Sequence, residues 1–463
     1  MRRIAIIGSG QAGLLAAHAL LKSGYEVTLY SDRTAEQWLT ESRPTGTATR
    51  FDMSLQFEYE LGLNSWENDA PWTDGAHMTM CPAPGNRMLT LAGRMRRPCL
   101  SIDLRLQSHA WTLELMKRGG QVIVEKVTPA RLDEIAAENE LTLVATGRSD
   151  LSKIFERDPV RSVYDKPLRN LAMMCVKGPP AQGFDGIPLL PVKNTLIGGV
   201  GEIIWVPYYH KDVGASWNII VEAIPGGPMD VFQGFTSGEQ VLEAATKMIR
   251  TYTPWDAERM RNAELSDPLG WLVGKFAPTV RKPVGKLPSG RLVMPLGDAA
   301  MSMDPIGGQG ANNGNKMVRN LVDSVVARGE LPFDAEWMTD TFERFYARHG
   351  EATFAFSHSL LGPPPPAVRD LFFAQYGSDG RPDNVSGPQL LANAFVDTLN
   401  DPAILMGLAK DRRKMHEFIE KVTGRSWIRS VASGAMGVAW EEFRQWRGME
   451  PRHPTVREHK VAA

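Results

Sequence analysis

The sequence predicts an α/β protein in which a Rossmann-like nucleotide-binding domain carries an inserted, mainly antiparallel β-sheet domain and is followed by a helical C-terminal region. Three observations predict this fold. A β-rich run at Arg3–Ile7 leads into the glycine pattern of residues 8–13 and then a helix-forming stretch. From about residue 166, strand-like runs follow one another without full-length helices between them. A second glycine-rich segment at residues 297–313 follows another apolar run and precedes a helical pattern.

Composition is that of an ordinary soluble globule and excludes several classes of function. The chain has 463 residues, enough for two or three domains with sizeable cores. Hydrophobic residues make up 43% and charged residues 23% of the chain. The net charge of −1 gives no general attraction to nucleic acid or anionic membranes, so we expect neither as a partner.

Cysteine and histidine usage predicts a cytoplasmic protein without a metal. The three cysteines are odd in number and scattered, which argues against a disulfide framework and against a zinc cluster. The nine histidines show no ligand spacing. The apolar stretch after Arg2 and Arg3 resembles a signal peptide only superficially, because its glycines match a nucleotide-binding pattern. No later apolar run reaches the roughly 18 residues that span a bilayer.

The first glycine pattern has the spacing of a dinucleotide fingerprint. It follows a strand, opens a helix, and is followed by a second strand at 26–30, and this context makes a weak pattern specific. Gly8 permits the tight turn, Gly10 lets backbone approach a pyrophosphate, and Gly13 lets helix and strand pack closely. The helix N-terminus offers N–H donors to the phosphates. The predicted cofactor-binding residues here are Gly8, Ser9, Gly10, Gln11, Ala12 and Gly13.

The residue expected to hold the adenosine ribose departs from the usual pattern. The second strand is expected to end in an acid, but Ser31 stands there and Asp32 follows one place late. Asp32 is a candidate for the ribose contact and Arg33 for stacking on the adenine. A solvated turn explains the pair equally well. The departure predicts weaker dinucleotide binding than a tight flavoprotein shows.

The second glycine segment supplies a carboxylate and a second helix N-terminus. Gly297 and Asp298 end the apolar run of residues 292–296, which puts the carboxylate where it can hold a sugar hydroxyl. The glycines after Pro305 let backbone N–H groups approach a flat or anionic group at the start of a helix, which we expect from Asn315. Further predicted cofactor-binding residues are Pro305, Gly308, Gln309, Gly310, Ala311 and Asn312.

Composition shifts along the chain suggest four parts. Residues 1–165 form the first part of the nucleotide-binding domain, with a substrate-side excursion at about 69–98. Residues 166–280 form the β-sheet substrate domain, and residues 281–330 return to the nucleotide-binding domain. Residues 331–463 form a C-terminal helical region with a polar tail from Arg452.

Taken together, these segments resemble the styrene monooxygenase and indole monooxygenase family, which are two-component flavoproteins of the aromatic hydroxylase (GR2) type. The resemblance spans roughly residues 1–360. It rests on the two glycine segments and on three further runs, residues 27–33, 103–105 and 143–156. The late Asp32 and the turn Thr146-Gly147, where single-component hydroxylases usually carry Asp-Gly, favour this family.

The resemblance implies a cofactor, a partner and a reaction. FAD, reduced by a separate NADH-dependent flavin reductase, would reach this protein as a diffusible co-substrate and react with O₂ to a C4a-hydroperoxyflavin. That species would epoxidise a vinyl-aromatic or indole-type substrate, or oxidise a sulfide. The flavin carries the chemistry, so no side-chain acid or base is expected as a catalytic residue. A homodimer is one oligomeric state open to such a protein.

The resemblance also implies roles for single residues. Arg105 matches an arginine that contacts the FAD phosphates, and a planar guanidinium suits a pyrophosphate. Backbone N–H groups near Pro305, Ile306 and Gly307 are expected to steady negative charge on the flavin. The predicted substrate-pocket residues are Gly46, Thr47, Trp205, Pro207 and Pro305.

Two departures and two alternatives complete the prediction. The loop at Gly46 lacks the asparagine of styrene monooxygenases, and Gly308 replaces a bulkier residue, so a roomier pocket is expected. One alternative is a self-sufficient NAD(P)H-dependent aromatic hydroxylase of the same fold. The other is a flavin-binding protein without oxygenase activity.

Overall fold

The computed structural model describes residues 2–449 of the chain. The polar tail predicted from Arg452 lies outside these residues. The chain divides into two compact units. Unit 1 comprises Met1–Asn68, Ile102–Leu168 and Phe276–His358, and unit 2 comprises Asp69–Ser101, Arg169–Lys275 and Ser359–Ala463.

Seventeen strands occur in the described residues. They are β1 Arg3–Ile7, β2 Glu26–Ser31, β3 Thr49–Arg50, β4 Thr73–Cys81, β5 Leu89–Ser101, β6 Gln121–Val124, β7 Leu141–Val144, β8 Asn170–Lys177, β9 Pro191–Ile197, β10 Gly201–His210, β11 Gly214–Ala223, β12 Glu264–Leu265, β13 Trp271–Lys275, β14 Thr279–Val280, β15 Gly285–Lys286, β16 Leu292–Pro295 and β17 Met301–Ser302.

Fourteen α-helices occur in the same residues. They are α1 Gln11–Lys22, α2 Ala35–Thr40, α3 Asp52–Glu60, α4 Leu104–Lys117, α5 Pro129–Glu138, α6 Gly238–Tyr252, α7 Gly310–Arg328, α8 Ala335–Phe345, α9 Glu351–Ser359, α10 Pro366–Ala374, α11 Gly387–Asp397, α12 Pro402–Ala409, α13 Arg412–Thr423 and α14 Trp427–Trp446.

Unit 1 is built on a sheet in the order β15-β16-β7-β1-β2-β6. All neighbouring strands are parallel except the β15–β16 hairpin. The sheet is buried on both faces, which explains why β1 and β7 read as continuous apolar runs. Because the carboxyl ends of parallel strands share one edge, β1 and β16 deliver the two glycine segments to the same edge. This confirms the predicted Rossmann-like α/β fold.

Residues 331–358 belong to unit 1, although the sequence grouped them with the C-terminal helical region. Helix α8 buries Trp337, Phe342 and Phe345 in the same hydrophobic core as Val318 and Leu321 of α7. The sequence placed the other two changes at residues 166 and 281, and the chain passes from one unit to the other after Leu168 and after Lys275.

Unit 2 contains a sheet in the order β12-β8-β11-β10-β9-β4-β5, with β13 also paired to β8. The strands after residue 169 pair antiparallel, as predicted. The excursion at 69–101 completes this sheet, because β4 lies parallel to β9 and antiparallel to β5. Helix α6 packs on the sheet through Val241, Ala245 and Ile249.

The C-terminal helices of unit 2 pack closely where small residues allow it. At Gly434 of α14, an added Cβ would lie 1.8 Å from the carbonyl oxygen of Phe373 in α10. The backbones of the two helices therefore meet at this glycine. Gly407 of α12 has no atom within 4 Å of the same position, so its neighbourhood is open.

These two helical glycines give a matched test of the packing. We expect Gly434→Ala to lower the thermal unfolding temperature of the protein, because a backbone carbonyl has to move. We expect Gly407→Ala to leave it unchanged or raise it, since alanine is favoured over glycine in a helix by about 1 kcal/mol. Equal responses of the two variants in thermal unfolding would contradict the α10–α14 packing.

Candidate functional site

The first glycine segment folds into a tight strand-to-helix turn. Gly8 has a φ of +113°, and its N–H donates to Tyr30 O at 2.8 Å. A Cβ on Gly13 would lie 1.9 Å from Gly8 O, so only glycine lets the helix sit this close to the strand. Gly10 differs, because a Cβ there would meet no atom within 4 Å. The open space beside Gly10 is a cradle that a ligand can fill.

The second segment meets the first at close range. A Cβ on Gly297 would lie 2.9 Å from the Cβ of Ala12, so Gly297 packs closely against the Ala12 side chain. Asp304 caps the short turn Pro305–Gly307 by accepting from Ile306 N–H at 3.2 Å. Gly308 follows in the left-handed region at φ +62°, which suits glycine.

Helix α7 begins at Gly310, five positions before the predicted start at Asn315. The glycines favoured a loop, but tertiary packing extends the helix back to them. Ala311 and Asn312 therefore lie in the first turn, where backbone N–H groups lack intrahelical partners. Gly310 itself has open space where a Cβ would stand. A second helix N-terminus and a second cradle thus lie in unit 1.

Asp298 is a carboxylate without a hydrogen-bond donor. Its side chain makes no hydrogen bond with any residue between 2 and 449. Burial raises its pKa, and the positive charges of Arg148 and Arg281 oppose that rise. The Arg148 guanidinium stacks 3.9 Å above the Phe276 ring, and Arg281 Nη1 is buried with no hydrogen-bond partner among the described residues. A carboxylate in this state fits a ligand that donates a hydroxyl, such as a ribityl chain.

The residues predicted to contact the adenosine ribose, Ser31 to Arg33, are hydrogen-bonded to other groups of the protein. Asp32 is held by two hydrogen bonds from Arg33, at 2.9 and 2.8 Å, and this pairing lowers the pKa of Asp32. Ser31 Oγ lies 2.6 Å from Ser9 Oγ, which also accepts from the Trp38 indole at 3.1 Å. The side chain of Ser9 is therefore committed, which leaves its backbone for a ligand. The ribose contact of Asp32 and the adenine contact of Arg33 stay predictions.

Arg105 is fully buried beside Asp103. Its Nη2 donates to Asp103 Oδ2 at 2.8 Å, its Nε donates to Asp103 Oδ1 at 3.0 Å, and both side chains have 0% exposure. Nη1 donates to Ser42 O at 3.4 Å. The predicted phosphate contact of Arg105 remains a prediction, and it would require the guanidinium to exchange some of these acceptors for a ligand.

A network that the sequence did not predict joins the two glycine segments. Gln11 Nε2 donates to Asn315 Oδ1 at 2.6 Å, and Asn315 Nδ2 donates to Glu58 Oε1 at 3.0 Å. Glu58 and Arg50 form a buried ion pair at 2.8 Å. The sequence signal was weak, because polar residues on helix faces are usually solvated.

Asn312 is a second link, between α7 and the loop before α3. Its Nδ2 donates to Thr49 O at 2.8 Å and to Gly308 O at 2.9 Å. Its Oδ1 accepts from Phe51 N–H at 2.9 Å and from Ser54 Oγ at 2.8 Å. The predicted cofactor residue Asn312 therefore positions the loop that carries Gly46 and Thr47, both half-buried.

The predicted pocket residues of unit 2 lie on β10. Trp205 has 0% exposure and packs edge-on against Phe184 and Trp217, so its ring forms part of the core of unit 2. Pro207 is also buried. Their contact with substrate stays a prediction, as does that of Pro305 in unit 1.

One group of side chains has the spacing of metal ligands in the described part of the chain. It consists of His210, Asp212 and Asp267. His210 Nε2 lies 2.7 Å from Asp267 Oδ2, and its Nδ1 accepts from Asp212 N–H at 3.1 Å. Both ring nitrogens are therefore engaged within the protein. Within residues 2–449, no helix is both long enough and apolar enough to cross a membrane.

Substitutions at two glycines distinguish an effect on cofactor binding from an effect on protein stability. Gly10 has a φ of −77°, so alanine is allowed there, and its Cβ would enter the open cradle. We expect Gly10→Ala to keep the wild-type unfolding temperature and to weaken FAD binding by about tenfold or more. Gly13→Ala is the control and should destabilise the protein itself. Wild-type FAD affinity in Gly10→Ala, measured by titration, would show that the cradle is not the FAD site.

Asp298 gives a pH-dependent test. Because its folded pKa is raised, its ionisation is less favourable in the folded protein, so it lowers stability as pH rises above the ordinary Asp pKa of about 4. We expect Asp298→Asn to raise the unfolding temperature of FAD-free protein at pH 7, with the gain shrinking toward pH 4, and to weaken FAD binding. Thermal unfolding across this pH range and FAD titration at pH 7 measure both effects. A destabilised variant with normal FAD affinity would contradict the assignment.

Comparison with known proteins finds a matching family and two similar styrene monooxygenases. Residues 147–259 match a family described as "Styrene monooxygenase A putative substrate binding domain". The chain is 26% identical over 409 residues to the styrene monooxygenase StyA of Pseudomonas fluorescens, covering 87% of this chain and 93% of that protein. The StyA of a Pseudomonas species matches with the same identity and coverage.

Solved structures with the same fold are more distant in sequence. The tetrameric form of 2-methyl-3-hydroxypyridine-5-carboxylic acid oxygenase superposes with a TM-score of 0.54 at 17% identity, over 85% of this chain and 96% of that one. The flavin-dependent brominase Bmp2 gives a TM-score of 0.56 at 14% identity, over 88% and 98%. A flavoprotein/dehydrogenase from Cytophaga hutchinsonii gives 0.57 at 15% identity, over 89% and 98%.

These likenesses confirm the predicted fold and the predicted family resemblance. The open cradles at Gly10 and Gly310 and the unpartnered carboxylate of Asp298 fit FAD. The chain is therefore a flavoprotein monooxygenase that is similar to styrene monooxygenases, and these likenesses support FAD as its cofactor.

Proposed function

We propose that this protein is the oxygenase of a two-component system. It takes reduced FAD from a separate NADH-dependent flavin reductase and uses O₂ to epoxidise a vinyl-aromatic or indole-type substrate, or to oxidise a sulfide. The observation that carries this proposal is the likeness to styrene monooxygenase StyA over 87% of the chain and 93% of the relative. The match of residues 147–259 to the substrate-binding domain of that family adds support.

FAD supplies the oxygen chemistry when bound, and the residues of this chain bind and orient it. The N-termini of α1 and α7 direct backbone N–H groups toward the two cradles. Asp298 accepts a ribityl hydroxyl, and the charges of Arg148 and Arg281 favour its ionised form. Among residues 305–307, Gly307 is the candidate backbone donor to negative charge on the flavin, because Pro305 has no N–H and the Ile306 N–H donates to Asp304 Oδ1.

The ribose region supports FAD as a diffusible co-substrate. Asp32 is already paired with Arg33, and Ser31 is bonded to Ser9, so the adenosine half gains few new polar contacts on binding. Weak adenosine contacts let FAD exchange between a reductase and this protein. We therefore expect the protein to purify largely free of FAD and to bind reduced FAD more tightly than oxidised FAD.

Thr146 favours this reading over the self-sufficient hydroxylase. Single-component hydroxylases usually carry Asp at this turn, whereas Thr146 accepts a hydrogen bond from Ser149 Oγ at 2.7 Å. A neutral side chain that is bonded locally does not replace an aspartate in flavin and nicotinamide handling.

A single turnover tests the proposal. Chemically reduced FAD is mixed with the protein in aerated buffer that contains styrene or indole and no nicotinamide. We expect epoxide in amounts that approach the protein concentration, or up to half that amount of indigo because each indigo joins two oxidised indoles, since the reductase is needed only to reduce FAD. Reduced FAD without protein is the control.

The alternatives predict different outcomes of the same experiment. Product only when NAD(P)H and oxidised FAD are supplied to the protein alone would identify a self-sufficient hydroxylase. Flavin reoxidation at the rate of the protein-free control, with no product in either arm, would identify a flavin-binding protein without oxygenase activity.

A further inference from the structure

The loop of residues 43–50 contains a backbone conformation that only glycine adopts freely. Ala48 has a φ of +51°, in the left-handed region, where an L side chain is sterically disfavoured. Within residues 2–449, Asp185 is the one other non-glycine residue with a positive φ. Such a conformation persists only where neighbouring groups hold it, and these residues concentrate at functional sites.

The Arg50 side chain holds Ala48 in this conformation. Its Nη1 donates to Ala48 O at 2.8 Å, which fixes the carbonyl of the strained residue. Its Nε lies 2.8 Å from Glu58 Oε1, and both side chains are at most 3% exposed. Glu58 thus anchors one side of the guanidinium while the other side reaches back two residues along the chain.

A buried ion pair is an unfavourable way to stabilise a fold. The free energy lost when both charges are removed from water offsets much of the free energy gained from their attraction. A buried ion pair is therefore weak evidence for a stabilising role. Burial raises the pKa of Glu58, and Arg50 and Asn315 oppose that rise. The combination of a costly pair and a strained residue points to a constraint on the loop itself.

The constrained loop adjoins the second glycine segment. Asn312 bridges Thr49 O and Gly308 O with one amide group, so the end of the loop and the cradle segment are held side by side. Asn315 then connects Glu58 to Gln11 of the first glycine segment. The conformation of Ala48 is therefore tied to both halves of the FAD site.

We propose that Arg50 is a positioning residue. By holding Ala48 in the left-handed region, it sets the backbone of residues 45–49 as a wall of the FAD site and so limits the loss of activated oxygen as hydrogen peroxide. This inference rests on the proposed function in one respect, namely that the site transfers oxygen. The effect on the loop and on FAD affinity is independent of the substrate.

The test separates two contributions of Arg50, namely its hydrogen bond to the Ala48 carbonyl and its positive charge beside Glu58. Arg50→Lys keeps the positive charge beside Glu58 but removes the forked donor that also reaches Ala48 O. Ala48→Gly removes the steric penalty, so the loop adopts the same backbone without being held. Four proteins are compared, namely the wild type, R50K, A48G and R50K/A48G.

Three measurements are made on each protein. Hydrogen exchange of the backbone amides of residues 45–50 in FAD-free protein measures how firmly the loop is held in one conformation. Titration gives the Kd for FAD. The ratio of product to hydrogen peroxide after a single turnover with reduced FAD reports oxygen transfer.

We expect R50K to increase amide exchange in the loop, to weaken FAD binding by about fivefold or more, and to shift the product ratio toward peroxide. We expect A48G in the R50K background to recover most of the exchange protection and FAD affinity. A48G alone measures the effect of the glycine when Arg50 is present. This rescue is the readout that a merely structural arginine would not give.

An exposed ion pair between α7 and α3, the helix that carries Glu58, provides the control. Arg319 of α7 and Glu60 of α3 are paired at 2.6 Å with about half of each side chain exposed. Arg319→Gln should leave the loop exchange, the Kd for FAD and the product ratio unchanged.

Two results would overturn the inference. One is wild-type behaviour of R50K in all three measurements, and the other is R50K/A48G that is no better than R50K. Absence of product with the wild type would instead count against the proposed function, while loop exchange and FAD affinity would still decide the role of Arg50.

Discussion

The candidate FAD site of this protein depends on close approach between segments of the chain. Gly13 lies against the carbonyl of Gly8, and Gly297 lies against Ala12, at distances that exclude an additional Cβ. This contact brings the ends of β1 and β16 and the starts of α1 and α7 to one edge of the parallel sheet. Backbone N–H donors of both helix N-termini can then face a flat anionic cofactor. The polar links through Gln11, Asn312 and Asn315 become possible only after the glycines have set this distance.

The parts of the structure that the sequence predicted are those set by local pattern. The β1–α1–β2 unit, the glycine turn at Gly8 and the antiparallel strands after residue 169 follow from apolar periodicity and turn residues. The start of α7 was predicted late because its first residues are glycines, whose low helix propensity is overridden by packing. The parallel pairing of β4 with β9 joins segments more than 100 residues apart, and no local pattern encodes it.

The candidate site likewise contains residues that a local sequence motif predicts and residues that it does not. The glycines and Asp298 were predictable, because each is required by a motif of fixed spacing. The pairing of Arg105 with Asp103, of Asp32 with Arg33 and of Arg50 with Glu58 was not predicted, because arginine and acid side chains in a sequence carry no sign of whether they are solvated or buried. Side chains that serve the protein and side chains that serve a ligand look alike until their neighbours are known.

The composition of unit 2 from three separate chain segments has a consequence for biosynthesis. Strand β5 is covered by α11, where Gln389 Nε2 donates to Ala92 O at 3.0 Å and Asn393 Oδ1 accepts from Arg94 N–H at 2.8 Å. The partners of a strand made early are thus synthesised almost 300 residues later. Until α11 has been synthesised, the Ala92 carbonyl and the Arg94 N–H of β5 lack these two partners. Unit 2 is therefore completed only once α11 has been made, and a chain that stops before α11 would leave these two backbone groups of β5 without their partners.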